Sequence, residues 1–128
     1  SFATQHASRT LEFTAPAVSS QTLSNMMAGA AKEDVANAEA GTRLVAGLDA
    51  LFAKAEPRIR HVQTTRHGVG IVALDQSGGL QVEFLLQPAE ACTQRLYDQP
   101  ELLAQQEQRL RFEVQVQPSG ARVLQPLS

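Results

Sequence analysis

The chain has 128 residues, of which 43% are hydrophobic and 19% charged, and its formal net charge at pH 7 is −2. This composition is typical of one globular domain, and the charge gives no bulk attraction to nucleic acid or anionic lipid. A single cysteine excludes an internal disulfide and fits a reducing compartment. We find no apolar run of about 18 residues that predicts a membrane span, and no signal-peptide pattern at the start. We therefore expect a cytoplasmic protein, or one that is exported without a cleavable signal peptide.

The N-terminal third predicts one strand and a segment of small residues. In RTLEFTA, residues 9–15, Leu11 and Phe13 alternate with polar side chains, whereas residues 1–8 are typical of a loose terminus. Residues 16–41 are rich in Ala and Ser. They predict one or two helical pieces or, alternatively, a linker that becomes ordered on binding.

The remaining segments predict a helix, a run of strands, a broken helix and two closing strands. The helix at 42–57 has apolar residues at helical spacing, and the turn SGG followed by LQVEFLLQ predicts a β-hairpin. We expect Pro88 to open the next helix and Pro100 to interrupt it. The predicted segments after residue 57 are strands at 58–65, 69–76 and 80–87, helices after Pro88 and at 100–108, and strands at 109–117 and in ARVLQ.

This order predicts an α+β fold with a mostly antiparallel sheet of four to five strands and helices packed on one face. Residues 1–41 are assigned to an N-terminal strand and a helical or linker segment. Residues 42–128 are assigned to an α+β core, and both parts belong to one compact domain.

The predicted hairpin has apolar side chains on both of its faces. Leu85 points away from the main apolar face of its strand, and Val72 and Leu74 alternate with the apolar Ile71 and Ala73 in the neighbouring strand. Either the N-terminal helical pieces or a partner protein must cover the second face. We therefore name Val72, Leu74 and Leu85 as candidate protein-binding residues.

The run RIRHVQTTRH, residues 58–67, is locally basic. Strand alternation places Arg58 and Arg60 on one face, which makes them further candidates for binding an acidic protein partner. A nucleic-acid accessory protein is the alternative, although the run has no stacking aromatic residue. His61 and His67 have no third ligand at a suitable spacing, so we expect two solvated histidines and no metal site.

Cys92 is the candidate nucleophile of a second alternative, a small cysteine-dependent enzyme. It follows Pro88 closely, where a helix dipole would lower the pKa of the thiol. It also shares an apolar stripe with Ala89 and Leu96, which favours an inert core cysteine. We find no acid–base pair, phosphate loop or Ser–His–Asp set, so we expect no enzyme activity and no cofactor.

Four stretches between residues 66 and 117 follow the pattern of a known family. They are HGVGIVAL, GGLQVEFLLQPAE, TQRLYDQPELLAQQ and LRFEVQV. In these stretches the chain resembles the C-terminal domain of flagellar hook-length control proteins and of their needle-length counterparts in type III secretion. The resemblance implies a protein-binding switch of export specificity that contacts the cytoplasmic part of the export gate without a cofactor. The positions that match the family pattern are Gly68, Val69, Gly79, Leu80, Val82, Phe84 and Leu96.

The leading hypothesis from the sequence is therefore a non-enzymatic protein-interaction domain. Its expected partner is another protein, a component of a bacterial secretion or export apparatus, which the domain would regulate.

Overall fold

A computed structural model describes residues 1–7, 10–18, 20–33, 36–76, 78–93 and 98–127, without the side chains of residues 92 and 93. Within these ranges the chain forms seven strands and four α-helices. In chain order they are β1 (Phe2–Ala7), β2 (Thr10–Thr14), α1 (Leu23–Glu33), α2 (Ala38–Ala46), α3 (Leu48–Ala55), β3 (Ile59–Val62), β4 (Arg66–Leu74), β5 (Leu80–Pro88), α4 (Pro100–Gln106), β6 (Gln108–Val116) and β7 (Arg122–Leu127). None of the helices in these ranges is long and apolar enough to cross a membrane.

The strands divide between two antiparallel sheets, with the orders β2-β1-β3 and β4-β5-β6-β7. The predicted α+β class is confirmed. The expected single sheet of four to five strands becomes two sheets because β1 pairs with both β2 and β3. The prediction of a loose terminus is wrong for residues 2–7, which form β1 and include the completely buried Ala3, while residue 8 lies outside the described residues.

One hydrophobic core joins the two sheets. β5 supplies the fully buried Val82, Phe84 and Leu86, and these pack with Phe112 of β6 and Ala3 of β1. Val114 and Leu124 complete the buried cluster, and Leu11, Phe13, Leu80 and Leu110 are half-buried against it. Residues 1–41 and 42–128 thus contribute side chains to the same core.

The predicted helix at 42–57 is two helices, α2 and α3, which meet at Gly47. Leu48 is buried, whereas Leu44 and Leu51 are about half exposed. The predicted apolar stripe therefore packs at only part of its length. In α3, Asp49 lies next to the segment before β4, where it accepts hydrogen bonds from the backbone N–H and Oγ1 of Thr64 at 3.0 and 2.6 Å.

The region after β5 differs from the predicted helix. Pro88 is the last residue of β5, paired with Arg66, rather than the first residue of a helix. A 3₁₀ turn follows at Ala89–Thr93. The second predicted helix is present as α4, preceded by Gln99 at the N-cap position. Leu96 lies outside the described residues.

We predict that Phe84→Ala lowers the free energy of unfolding by about 3–5 kcal/mol, because it removes a fully buried ring from the centre of the core. Urea denaturation measures this change. Leu102→Ala, at a 40% exposed position of α4, is the control and should cost less than about 1 kcal/mol. Similar losses for the two variants would contradict the assignment of the core.

Candidate functional site

β4 and β5 form a long hairpin without a bulge. The pairing runs continuously from Arg66 opposite Pro88 to Leu74 opposite Leu80. The turn depends on Gly78, whose φ of +85° is a conformation that L side chains rarely adopt. Asp75 closes the turn by accepting a hydrogen bond from the backbone N–H of Gly79 at 2.8 Å.

The hydrogen-bond pattern of this hairpin decides which backbone groups of β4 face away from β5. The backbone N–H of Asp75 donates to the carbonyl oxygen of Gly79 at 2.9 Å. In an antiparallel pair every second residue exchanges hydrogen bonds with its partner. By this alternation, residues 69, 71 and 73 bond to β5, while the N–H and C=O groups of Gly70, Val72 and Leu74 point to the other side.

That other side is the edge of the four-stranded sheet, because β4 is its terminal strand. Only the beginning of β4 is covered. The backbone N–H of Gly68 donates to the carbonyl oxygen of Ala17 at 3.4 Å. Within the ranges that the structure describes, the outward backbone groups of Gly70, Val72 and Leu74 make no hydrogen bond. We call these three residues the open edge.

The side chains around the open edge are apolar and exposed. Val72 and Leu74 are 61% and 75% exposed, and Val69 and Ile71 are 43% and 47% exposed. No charged side chain occurs between residues 68 and 74. This arrangement is uncommon, because natural edge strands are usually protected against pairing by charges, prolines, bulges or short length.

The other edge strands of the molecule have such protection. β7, at the opposite edge of the same sheet, contains Arg122 and Pro126. β2 has five residues and includes the exposed Glu12, and β3 has four residues, including the exposed Arg60. β4 has nine residues and lacks all of these features between residues 68 and 74. Among the described edges it is therefore the one suited to accept another strand.

The three apolar residues that the sequence predicts to bind a protein lie on two different faces of the sheet. Val72 and Leu74 lie opposite Val82 and Leu80, on the face of the sheet that carries the core, but beyond the part that the core covers. Leu85 is half-buried on the other face, opposite Val69. The three residues share the hairpin and do not form one continuous face.

On the outer face of the sheet, Ile71 borders a shallow groove. Its walls include Gln81, Glu83, Arg111 and Leu127. Arg111 Nε donates to Glu83 Oε1 at 2.8 Å across β5 and β6. A strand that paired with β4 would therefore extend this mixed apolar and polar surface on one face and the apolar surface at Val72 on the other.

Sequence reasoning missed Val69 and Ile71 as members of the site. Both lie on the face opposite to Val72, so the edge presents apolar side chains on each face. The signal was the absence of charge from residue 68 to residue 74. That signal becomes informative only once the strand is known to be at an edge, since a central strand has the same composition.

The three arginines of the basic run at 58–67 lie before β3, in β3 and in β4. Arg58 forms an ion pair with Glu56, and its Nε donates to Glu56 Oε1 at 2.8 Å. The side-chain and backbone hydrogen bonds from Arg58 lower the pKa of Glu56 to about 2. Arg60 is exposed on β3. Arg66 donates from Nη1 to the carbonyl oxygen of Gln106 at 3.4 Å. The local positive charge is therefore partly neutralised and spread over different elements.

The expectation of two solvated histidines is wrong. His67 is buried, with Nδ1 3.0 Å from the carbonyl oxygen of Ala17. The His61 ring is stacked on Phe84 with a centroid separation of 5.9 Å and lies 5.4 Å from the Phe112 ring centroid. Both histidines serve packing, and no group of three or more potential metal ligands occurs in the described part of the chain.

Cys92 lies in the 3₁₀ turn after β5, and its side chain is outside the described atoms. Its neighbours Ala89 and Ala91 are 7% and 6% exposed. The expectation of an inert core cysteine and the alternative of a reactive thiol both stay predictions.

Comparisons with known protein families, with curated proteins and with solved structures give no match for this chain. The resemblance of residues 66–117 to length-control proteins therefore stays a prediction.

We predict that the stability of the protein falls as the pH is lowered from about 6.5 to about 4. Burial lowers the pKa of His61 from 6.5 to about 4, against an opposing effect of Asp49. Between these two pH values the unfolded chain binds a proton at His61 that the folded chain does not bind, so protonation favours unfolding. The loss of stability levels off below about pH 4, where His61 is protonated in both states.

Urea titrations at pH 7 and pH 5 measure this loss. His61→Gln should reduce the difference in unfolding free energy between the two pH values. An unchanged difference in His61→Gln would contradict the assignment.

We also predict that proline is tolerated at residue 72 and not at residue 71. The N–H of Val72 points out of the sheet, whereas that of Ile71 bonds to Glu83 on β5, and proline removes this donor. Ile71→Pro should cost at least about 2 kcal/mol more than Val72→Pro, because it also leaves the Glu83 carbonyl unpaired. Thermal and urea unfolding measure both variants, and equal costs would refute the assigned direction of the hydrogen bonds.

Proposed function

We propose that this chain is a non-enzymatic protein-interaction domain that binds its partner by strand addition at β4. One observation carries the proposal: the open edge combines unpaired backbone groups with exposed apolar side chains in a strand that lacks protective features. In strand addition, backbone hydrogen bonds provide affinity, and side-chain contacts on the two faces provide specificity.

The side chains of β4 suit such a partner. An added strand would meet Val72 and Leu74 on one face and Val69 and Ile71 on the other, all of which are exposed. Each face would therefore favour apolar or β-branched residues in the incoming strand. Arg66 and Asp75 limit the uncharged stretch at its two ends.

The resemblance of residues 66–117 to hook-length and needle-length control proteins supports a more specific proposal. The partner would be a component of a bacterial export apparatus, contacted from the cytoplasm, and the domain would regulate which substrates pass. The open edge lies within this stretch, so the same residues serve the general and the specific proposal.

Affinity capture from a lysate of the source cells, followed by quantitative mass spectrometry, tests the proposal. We predict that the double variant Val72→Lys/Leu74→Lys loses the wild-type partner by at least about tenfold, because two charges at the edge oppose strand pairing. Export-apparatus components among the lost proteins would support the specific proposal.

The matched control is Val116→Lys/Leu102→Lys. It adds the same charge at exposed apolar positions on β6 and α4, and Val116 is 61% exposed, as is Val72. This control should retain the partner. A folded edge variant that captures the same proteins as the wild type would refute strand addition at β4, and capture that nuclease abolishes would favour the nucleic-acid alternative.

A further inference from the structure

We infer that the open edge of β4 also pairs with the open edge of a second copy of this chain, antiparallel and centred on Val72. The inference rests on the proposed function, since it uses the same strand-pairing edge and names a second copy as one of its occupants. The hydrogen-bond register, the side chains and the charges of β4 all favour this pairing.

The hydrogen-bond register of the open edge is self-complementary. Its outward groups are the N–H and C=O of Gly70, Val72 and Leu74. If Val72 faces Val72 of the second copy, Gly70 of each copy faces Leu74 of the other. All outward groups of the three residues then find a partner in one antiparallel ladder.

Other symmetric registers satisfy fewer of these groups. A ladder centred on residue 70 would require the N–H of Gly68, which already donates to Ala17. A ladder centred on residue 73 would pair Val72 with Leu74 and leave Gly70 opposite Gln76 at the turn. The covered beginning of β4 and the turn at its end thus select the register centred on Val72.

The side chains fit the same register. Gly70 lacks a side chain, and a Cβ built on it would lie 3.3 Å from Phe84 and 3.5 Å from Ala15. Leu74, the most exposed large apolar side chain of the described residues, would lie over Gly70 of the second copy, on the same face of the sheet. It would there contact Phe84 and Ala15, so that the exposed side chain of one copy covers the bare position of the other.

The charges favour two copies in opposite directions. β4 begins with Arg66, and Asp75 follows its last residue, while the stretch between residues 68 and 74 is uncharged. Antiparallel pairing places the positive end of each strand towards the negative end of the other, and no like charges face each other. A parallel arrangement would bring like charges together at both ends.

A charge-exchange experiment at the symmetry axis tests the inference. Sedimentation should show the wild type shifting from monomer to dimer as the concentration rises from about 1 to about 500 μM, since a single strand edge is a small interface. Val72→Lys alone and Val72→Glu alone should stay monomeric, because each places two like charges opposite each other. An equimolar mixture of the two variants should form dimers again.

Cysteine cross-linking tests the register. Residues that directly face each other in a hydrogen-bonded antiparallel pair have Cα atoms about 5.5 Å apart, but their Cβ atoms lie slightly farther apart than in a disulfide. Val72→Cys should therefore cross-link to itself through a bis-methanethiosulfonate reagent with a one-carbon spacer. Leu74→Cys is the matched control on the same face and is more exposed, but its two copies would be about 14 Å apart. The wild type, with Cys92 alone, gives the background.

Each result supports or overturns the inference. A wild type that is monomeric throughout, or a mixture of Val72→Lys and Val72→Glu that stays monomeric, overturns it, and cross-linking through Leu74→Cys rather than Val72→Cys overturns the register. If the chain is monomeric but Val72→Lys/Leu74→Lys loses the captured partner, the inference fails and strand addition to another protein stands. If the Val72 variants break a dimer while capture is unchanged, the dimer stands and the proposed function fails.

Discussion

Aromatic packing around Phe84 links the two sheets of the molecule. The Phe84 ring lies edge-on to Phe112, with a centroid separation of 6.0 Å, and stacks against His61 of the other sheet. These contacts join β5 and β6 to β3 and so hold the two sheets together. Because β5 pairs with β4 along its whole length, the same buried side chains fix the register of the hairpin. The open edge is therefore paired along its inner side with the strand that holds the three largest fully buried side chains.

Burial decreases steeply from β5 to β4. Val82 is almost completely buried, while its cross-strand partner Val72 is mostly exposed. Near the start of β4 the two strands are in close contact, because a Cβ on Gly68 would lie 2.1 Å from the carbonyl oxygen of Leu85. The three-stranded sheet covers β5 and β6 and ends before it reaches residues 72 and 74. The apolar side chains of β4 thus exceed what the core requires, and the proposed strand addition would account for them.

Alternation in the sequence predicted β5 and β6 well, since each strand has one buried and one polar face, and this specifies both the strand and its register. It did not predict β1, whose buried face consists of small and polar residues. It also did not predict the break at Gly47, where tertiary contacts of Asp49 and Leu48 override a continuous helical pattern. The segment 42–57 satisfied helical spacing in either form, so the pattern alone did not distinguish one helix from two.

The α+β class, the hairpin with its glycine turn and the apolar character of residues 72, 74 and 85 were predictable from the sequence. These features follow from local spacing and turn chemistry. Tertiary packing, in contrast, places β4 at the edge of its sheet, Leu85 on the opposite face from Val72, His67 in a buried position and His61 against Phe84. Strand order and sheet coverage result from contacts between residues distant in the chain, and no local pattern encodes which strand of a sheet has no neighbour.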